Sequence, residues 1–185
     1  MDASTPPDDG SVSPSNDPFE ELFRQVYPDL RSYGRRLTTR TAVVEDAIQE
    51  VFMALWRSDT AVGDLTHPRS YLLSALRRQI LGHLQTERKL HTRHDDHAKE
   101  TPAFIGTYED LIVAHERRSE QHTKVKAALS TLSERRHEAL YLRFRHGLTH
   151  QEVADVMDIA HQTARNYVSE ALLHIRQHIK AVDAS

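Results

Sequence analysis

Four side chains near the C-terminus, Gln162, Arg165, Asn166 and Ser169, have the types and spacing of a surface that recognises without bond making. Glutamine and asparagine amides match adenine edges, arginine matches guanine edges or phosphate, and a serine hydroxyl serves either. Arg176 extends the row by two helical turns. A second group, Asp46, Gln49, Glu50 and Met53, joins carboxylates and an amide to a polarisable thioether, a combination suited to docking a basic or mixed protein surface. A third, Tyr71 with Arg77, Arg78 and Arg88, sets cations beside a ring. Cations track phosphate, and an aromatic ring or a guanidinium can stack on an unpaired base. The fourth group, His91, His94, Asp95, Asp96 and His97, has zinc-ligand types but falls in an aperiodic stretch with no second shell in view. Metal is therefore not expected, nor are a cofactor, a small-molecule substrate or catalytic residues.

Helical periodicity decides which of these groups share a face. From Val43 to Arg57, a turn of 100° per residue gathers Val44, Ile48, Val51, Phe52 and Leu55 on one side and Asp46, Gln49, Glu50, Met53 and Arg57 opposite. This helix alone is compatible with a solvated face as well as a docking face. Another helix follows Pro68, a natural first-turn residue. There Tyr71 suits either a core position or a free ring. In LSERRHEALYLRFRHGLTHQEVADVMDIAHQTARNYVSEALLHIRQHI (132–179) the pattern breaks at Gly147 and Asp158, leaving room for three helices. Asp158 stands at the turn, and Asp tolerates a left-handed backbone better than most residues. After it, Ala164, Val168, Ala171, Leu172, Ile175 and Ile179 form the inward stripe, which leaves the four polar residues outward. Such a unit places one helix in a major groove. Glu170, on the flank, would repel phosphate unless it points away.

Charge and composition bound the rest. The 185 residues carry a formal charge of −3 and no cysteine, so neither a disulfide nor a thiolate zinc site is available. Asp2, Asp8, Asp9 and Asp17 lie in residues 1–18, which are rich in Pro, Ser and Asp and read as a disordered acidic tail. Between His67 and Arg93 six Lys or Arg face Glu87 alone, so the body is locally basic. Thirteen histidines suggest that positive charge grows below neutrality. No apolar run approaches the ~18 residues of a membrane span, and no apolar signal segment is visible, which predicts a soluble, cytoplasmic protein without membrane insertion. Helical patterns over 19–90 and 111–182, separated by an aperiodic 91–110, predict an all-α chain: two small, separately folded domains on a flexible linker, the second a helix-turn-helix.

In order and spacing, FEELFRQVYPDLRSYGRRL, VVEDAIQEVFMALWR, HPRSYLLSALRRQILGHLQ and the C-terminal stretch resemble the two-domain sigma factors of the extracytoplasmic-function (ECF) group. The resemblance runs from Phe19 to about Ile179. It implies a region 2-like domain (19–90) that binds the clamp coiled coil of core RNA polymerase and opens the −10 element, and a region 4-like domain (111–182) that reads the −35 element. On it, Asp46, Gln49, Glu50 and Met53 become polymerase contacts. Tyr71, Arg77, Arg78 and Arg88 become strand-opening residues, and Gln162, Arg165, Asn166, Ser169 and Arg176 promoter readers. Core RNA polymerase, promoter DNA and an anti-sigma factor are the implied partners. Arg78, Gly82, Gln85, Thr86, Tyr167, Glu170 and Asp158 depart from frequent residues of the group. The competing readings are a sigma-like mimic that binds protein but no DNA, and a self-standing operator-binding regulator, which leaves the DAIQEVF face unexplained.

Overall fold

A computed structural model describes residues 17–58, 62–91, 104 and 120–183 of the chain. Its described residues form seven α-helices and one short 3-10 turn, Val62–Asp64, with no strand. The 1–16 part of the expected tail and most of the expected linker lie outside the described residues, as do His94, Asp95, Asp96, His97 and the side chain of His91.

Helix α1 (Pro18–Leu37) begins inside the segment read as a tail. The Asp17 carboxylate accepts the Phe19 N–H at 2.9 Å, and Pro18 fills the first helical position. Glu20 and Glu21 near its start and Arg35 and Arg36 near its end complement the helix dipole. Asp17 and Pro18 thus belong to the ordered helix and not to the tail. Leu22, Val26, Leu30, Tyr33 and Leu37 recur along one buried stripe. Gly34 lies on that stripe because a Cβ there would stand 2.6 Å from Val44 Cγ1, so glycine lets α1 press against α2 (Thr41–Arg57). Helix α3 (Pro68–His91) closes the unit with buried Leu72, Leu73, Leu76 and Ile80. Arg40, at the start of α2, forms a two-pronged ion pair with Glu87 near the other end of α3.

The second unit comprises α4 (Glu120–Ser130), α5 (Glu134–Phe144), α6 (His150–Met157) and α7 (His161–Asp183). Helix α5 ends at Phe144, and the turn after it passes through Gly147, whose φ of 66° is available to glycine without steric cost. Helix α6 opens with a capping box: the Thr149 hydroxyl accepts the Glu152 N–H at 3.2 Å, and Glu152 accepts the Thr149 N–H at 2.8 Å. Asp158 adopts the left-handed conformation expected of it, φ 54° and ψ 56°, and sets the α6–α7 turn.

The two helical units are packed against each other. One continuous apolar cluster runs from Leu22 and Leu30 through Leu73, Tyr141 and Leu148 to Val156 and Val168, and α6 lies along α3. Phe104, from the segment expected to be a free linker, is buried between Tyr33, Tyr141 and His137. Within α7 the expected inward stripe holds at Ala164, Val168 and Ala171. Leu172 instead is exposed and Ile175 and Ile179 are half-buried.

Candidate docking and nucleic-acid interfaces

Helix α2 buries Val43, Val44, Ala47, Ile48, Val51, Phe52 and Leu55. Asp46, Gln49, Glu50 and Met53 are thereby turned outward, and all four are exposed. Glu50 Oε2 lies 3.3 Å from His83 Nε2 of α3, which steadies one end of the acidic row. On the other flank is an open apolar groove of about 510 Å³, lined by Phe19, Phe23, Ile48, Gln49, Phe52, Met53 and Trp56 among others. Its aromatic wall is built by contacts between α1 and α2: the Phe19 ring meets Trp56 edge-on at 5.1 Å and Phe23 packs on Phe52 at 4.7 Å. Trp56 is nonetheless 67% exposed. Exposed aromatic surface of this kind, rimmed by polar groups, marks a site of association.

The groove's rim is fixed electrostatically. Tyr27 donates to Glu45 at 2.9 Å, and Arg31 Nε does the same on the second oxygen at 2.9 Å. Partial burial works against the Glu45 charge, but these two donors outweigh it and hold its carboxyl below the usual range. Tyr27 is pushed up in turn, chiefly by its bond to that carboxylate. Sequence periodicity found the carboxylate ridge but missed the aromatic wall. Its signal was present as Phe19, Phe23 and Tyr27, four residues apart along α1 and flanking the buried stripe.

The α3 candidates separate. Tyr71 is 51% exposed, so its ring is free and is not core. Arg78 is exposed, and Arg88 lies in the last turns of α3 with a side chain outside the described residues. Arg77 requires a correction. It is 7% exposed, and its Nε donates to Glu138 Oε1 of α5 at 2.8 Å, so in this arrangement its guanidinium faces a carboxylate and no nucleic acid. The reason is long-range: the face of α3 that carries Arg77 is covered by the second helical unit.

On α7 the residues expected to read DNA stand together. Gln162, Arg165, Asn166, Ser169 and Arg176 are all exposed. Gln162 Nε2 donates to Asn166 Oδ1 at 2.9 Å, which orients both amides and leaves the Gln162 oxygen and the Asn166 amino group outward. Glu170 is not a bare charge: Arg136 Nη2 reaches its Oε2 at 2.6 Å. At the start of α6 the His150 imidazole is held below its ordinary pKa by partial burial first and then by Arg143, His161 and Arg165. Arg143 and Arg165 thus both lie close to that corner.

Comparisons with known proteins agree with this division. The family model "Sigma-70 region 2" matches residues 22–90, and "Sigma-70, region 4" matches residues 122–175. The ECF RNA polymerase sigma factor SigK of Mycolicibacterium vanbaalenii is 24% identical over 167 residues, which span 85% of this chain and 81% of that protein. Among solved structures, the sigma factor RpoE of Bartonella quintana, crystallised in complex with the anti-sigma factor NepR, superposes with a TM-score of 0.56 at 21% identity. The match covers 88% of this chain and 96% of that one.

Proposed function

Because the chain belongs to the ECF sigma factors, which direct RNA polymerase to promoters, we propose that it does so through the α2 ridge and groove, the exposed residues of α3, and the outer face of α7. The observation that carries this reading is the division of α2, in which Ala47, Ile48, Val51 and Phe52 are buried while Asp46, Gln49, Glu50 and Met53 point out beside an aromatic groove. A coiled coil of the polymerase clamp would set basic groups against the carboxylates and apolar ones in the groove. Desolvated aromatic anchors ringed by polar contacts are what concentrates binding energy at such interfaces.

No covalent step falls to this chain, and the family is not one of enzymes. Promoter opening is differential binding. Unstacked bases gain contacts with Tyr71 and with phosphate-tracking Arg78 that a closed duplex does not offer, so the melted state is stabilised relative to the paired one. Gln162, Arg165, Asn166 and Ser169 read base edges of the −35 element, and Arg176 and the corner around His150 and Arg143 meet phosphate. Among the described residues no helix is long and apolar enough to cross a membrane, which fits a factor working beside the polymerase in the cytoplasm. An anti-sigma factor of the kind bound to the RpoE relative would regulate it by covering these same faces.

Transcription with purified core polymerase tests the reading. Adding the chain should give a transcript from a promoter selected from fragmented genomic DNA, and heparin-resistant complexes should form only when both proteins are present. Stable association with core and no promoter-specific transcript would favour the mimic. Tight binding to a palindromic duplex without polymerase would favour a self-standing regulator.

A further inference from the structure

Among the described residues four are glycines, and three of them have a reason within the fold. Gly34 makes room for Val44, Gly147 takes a positive φ, and Gly63 lies in the short 3-10 turn, where no long helix is interrupted. Gly82 has no such reason. It stands inside α3 without a positive φ, and a Cβ built on it would meet nothing within 4 Å. Inside a helix glycine is the least favourable residue after proline, because it gives up the most backbone freedom and bares the main chain to water. Alanine would fit and stabilise, so the fold does not ask for glycine here.

Nor is Gly82 placed as a hinge. Ile80, just before it, is anchored in the core, and just after it His83 Nε2 lies 3.3 Å from Glu50 of α2 while Glu87 pairs with Arg40. Both sides of the glycine are thus fixed to the same body.

What the missing side chain does is open a notch in an exposed row. At 100° per residue Tyr71, Arg78 and Thr86 all fall within about 40° of the line along α3 that passes through Gly82. These four residues are exposed. Arg78 and Thr86 stand one turn to either side of Gly82, about 12 Å apart along the axis. The Thr86 hydroxyl donates to the Gly82 carbonyl at 2.9 Å, which draws that side chain onto the helix and leaves its oxygen free to accept. Gln85, also exposed, adds an amide at the same end. Bare main chain is therefore walled by a cation on one side and by a hydroxyl and an amide on the other. Glycine is the residue that lets a ligand come this close to a backbone.

We propose that Gly82 seats one nucleotide of an unpaired DNA strand, its phosphate on Arg78 and its base edge toward Gln85 and Thr86, while Tyr71 stacks on another base of the same strand. The inference rests on the function proposed above for where that strand comes from. Binding of a free single strand tests the seat without it.

Gly82→Ala and Gly82→Leu both introduce strong helix formers. In the isolated chain each should raise Tm by a few degrees, and affinity for core polymerase should match wild type. With reconstituted holoenzyme on a selected promoter, heparin-resistant complexes and permanganate reactivity of −10 thymines should fall with side-chain size, by about fivefold for alanine and by more than about tenfold for leucine. A leucine variant that opens the promoter as wild type does overturns the seat. So does an alanine variant of lower Tm, which would return the need for glycine to the fold. Equal losses for alanine and leucine overturn it too, because a filled space must respond to volume. Anisotropy of a labelled single-stranded oligonucleotide with the chain alone is the independent arm: wild type should bind more tightly than Gly82→Leu, and equal affinities overturn the proposal. If wild-type holoenzyme opens no promoter while that difference is present, the promoter-directing reading fails and the seat stands.

Discussion

Replacing Arg136 by alanine should weaken promoter binding even though Arg136 is not among the proposed reading residues of α7. Its guanidinium contacts Glu170 Oε2 through Nη2 at 2.6 Å and Nε at 3.0 Å. Both side chains are more than a third exposed, so screening leaves the pair about 0–1 kcal/mol of fold stability. The effect on DNA is different. Without Arg136 the Glu170 carboxylate is bare on the flank of α7. At about 8 Å from a phosphate, repulsion amounts to roughly 0.5 kcal/mol at the dielectric of water and about 2 kcal/mol at the effective value near a protein surface. A loss of about 1 kcal/mol, or fivefold in affinity, is the expected outcome. Anisotropy of a labelled promoter duplex titrated with reconstituted holoenzyme would measure it for wild type, Arg136→Ala, Glu170→Gln and the double variant. Removing the carboxylate should rescue: the double variant should bind about as well as wild type, and the deficit of Arg136→Ala should shrink as salt rises, because screening tightens to a few ångströms near 1 M. If the double variant stays as weak as Arg136→Ala, Arg136 binds phosphate itself and the account of Glu170 is wrong.

Three further outcomes follow from local geometry. Asp158→Ala should cost about 1 kcal/mol, since alanine lacks the local hydrogen bonding that eases a left-handed backbone, whereas Asp158→Gly should not; chemical denaturation of both variants checks the pair. Gly34→Ala forces a Cβ to 2.6 Å from Val44, and overpacking of about 1–3 kcal/mol less about 1 kcal/mol of helix propensity should lower Tm by a few degrees, whereas an unchanged Tm would contradict the close α1–α2 crossing. Asp29 is partly buried, which raises its pKa, but the His146 hydrogen bond and then Arg69 outweigh burial and hold its carboxyl below the usual value. Its contribution is therefore complete above the unfolded pKa of about 3.9 and is lost as the pH falls through the lower folded value. Asp29→Asn should flatten that acidic part of the stability profile, and a slope equal to wild type would refute the assignment.

Much of this was legible in the chain because it depends on short-range order. The stripe on α2 follows from a 3.6-residue period, and the α6–α7 turn from Asp158 between two apolar runs. Three things were not legible, and each is a contact between residues far apart in sequence. Arg77 looks like any exposed base on a helix until Glu138, 61 residues on, is seen to bury it. Phe104 sits in a polar stretch with no periodicity, so nothing local indicates that Tyr33 and Tyr141 enclose it. Glu170 reads as an obstacle to DNA because Arg136 reaches it from another helix. Aromatics along α1 carried a signal, but the stronger stripe beside them masked it.

The most direct test of the account is the affinity of the purified chain for core RNA polymerase with and without Asp46→Arg. Asp46 is exposed on α2 and lies outside both the apolar core and the seam between the units. Reversing its charge should leave helicity and Tm unchanged and weaken association by about two orders of magnitude, or ~3 kcal/mol, the scale of a like-charge contact at an interface. Wild-type affinity in the folded variant would contradict the claim that this ridge is where the polymerase docks.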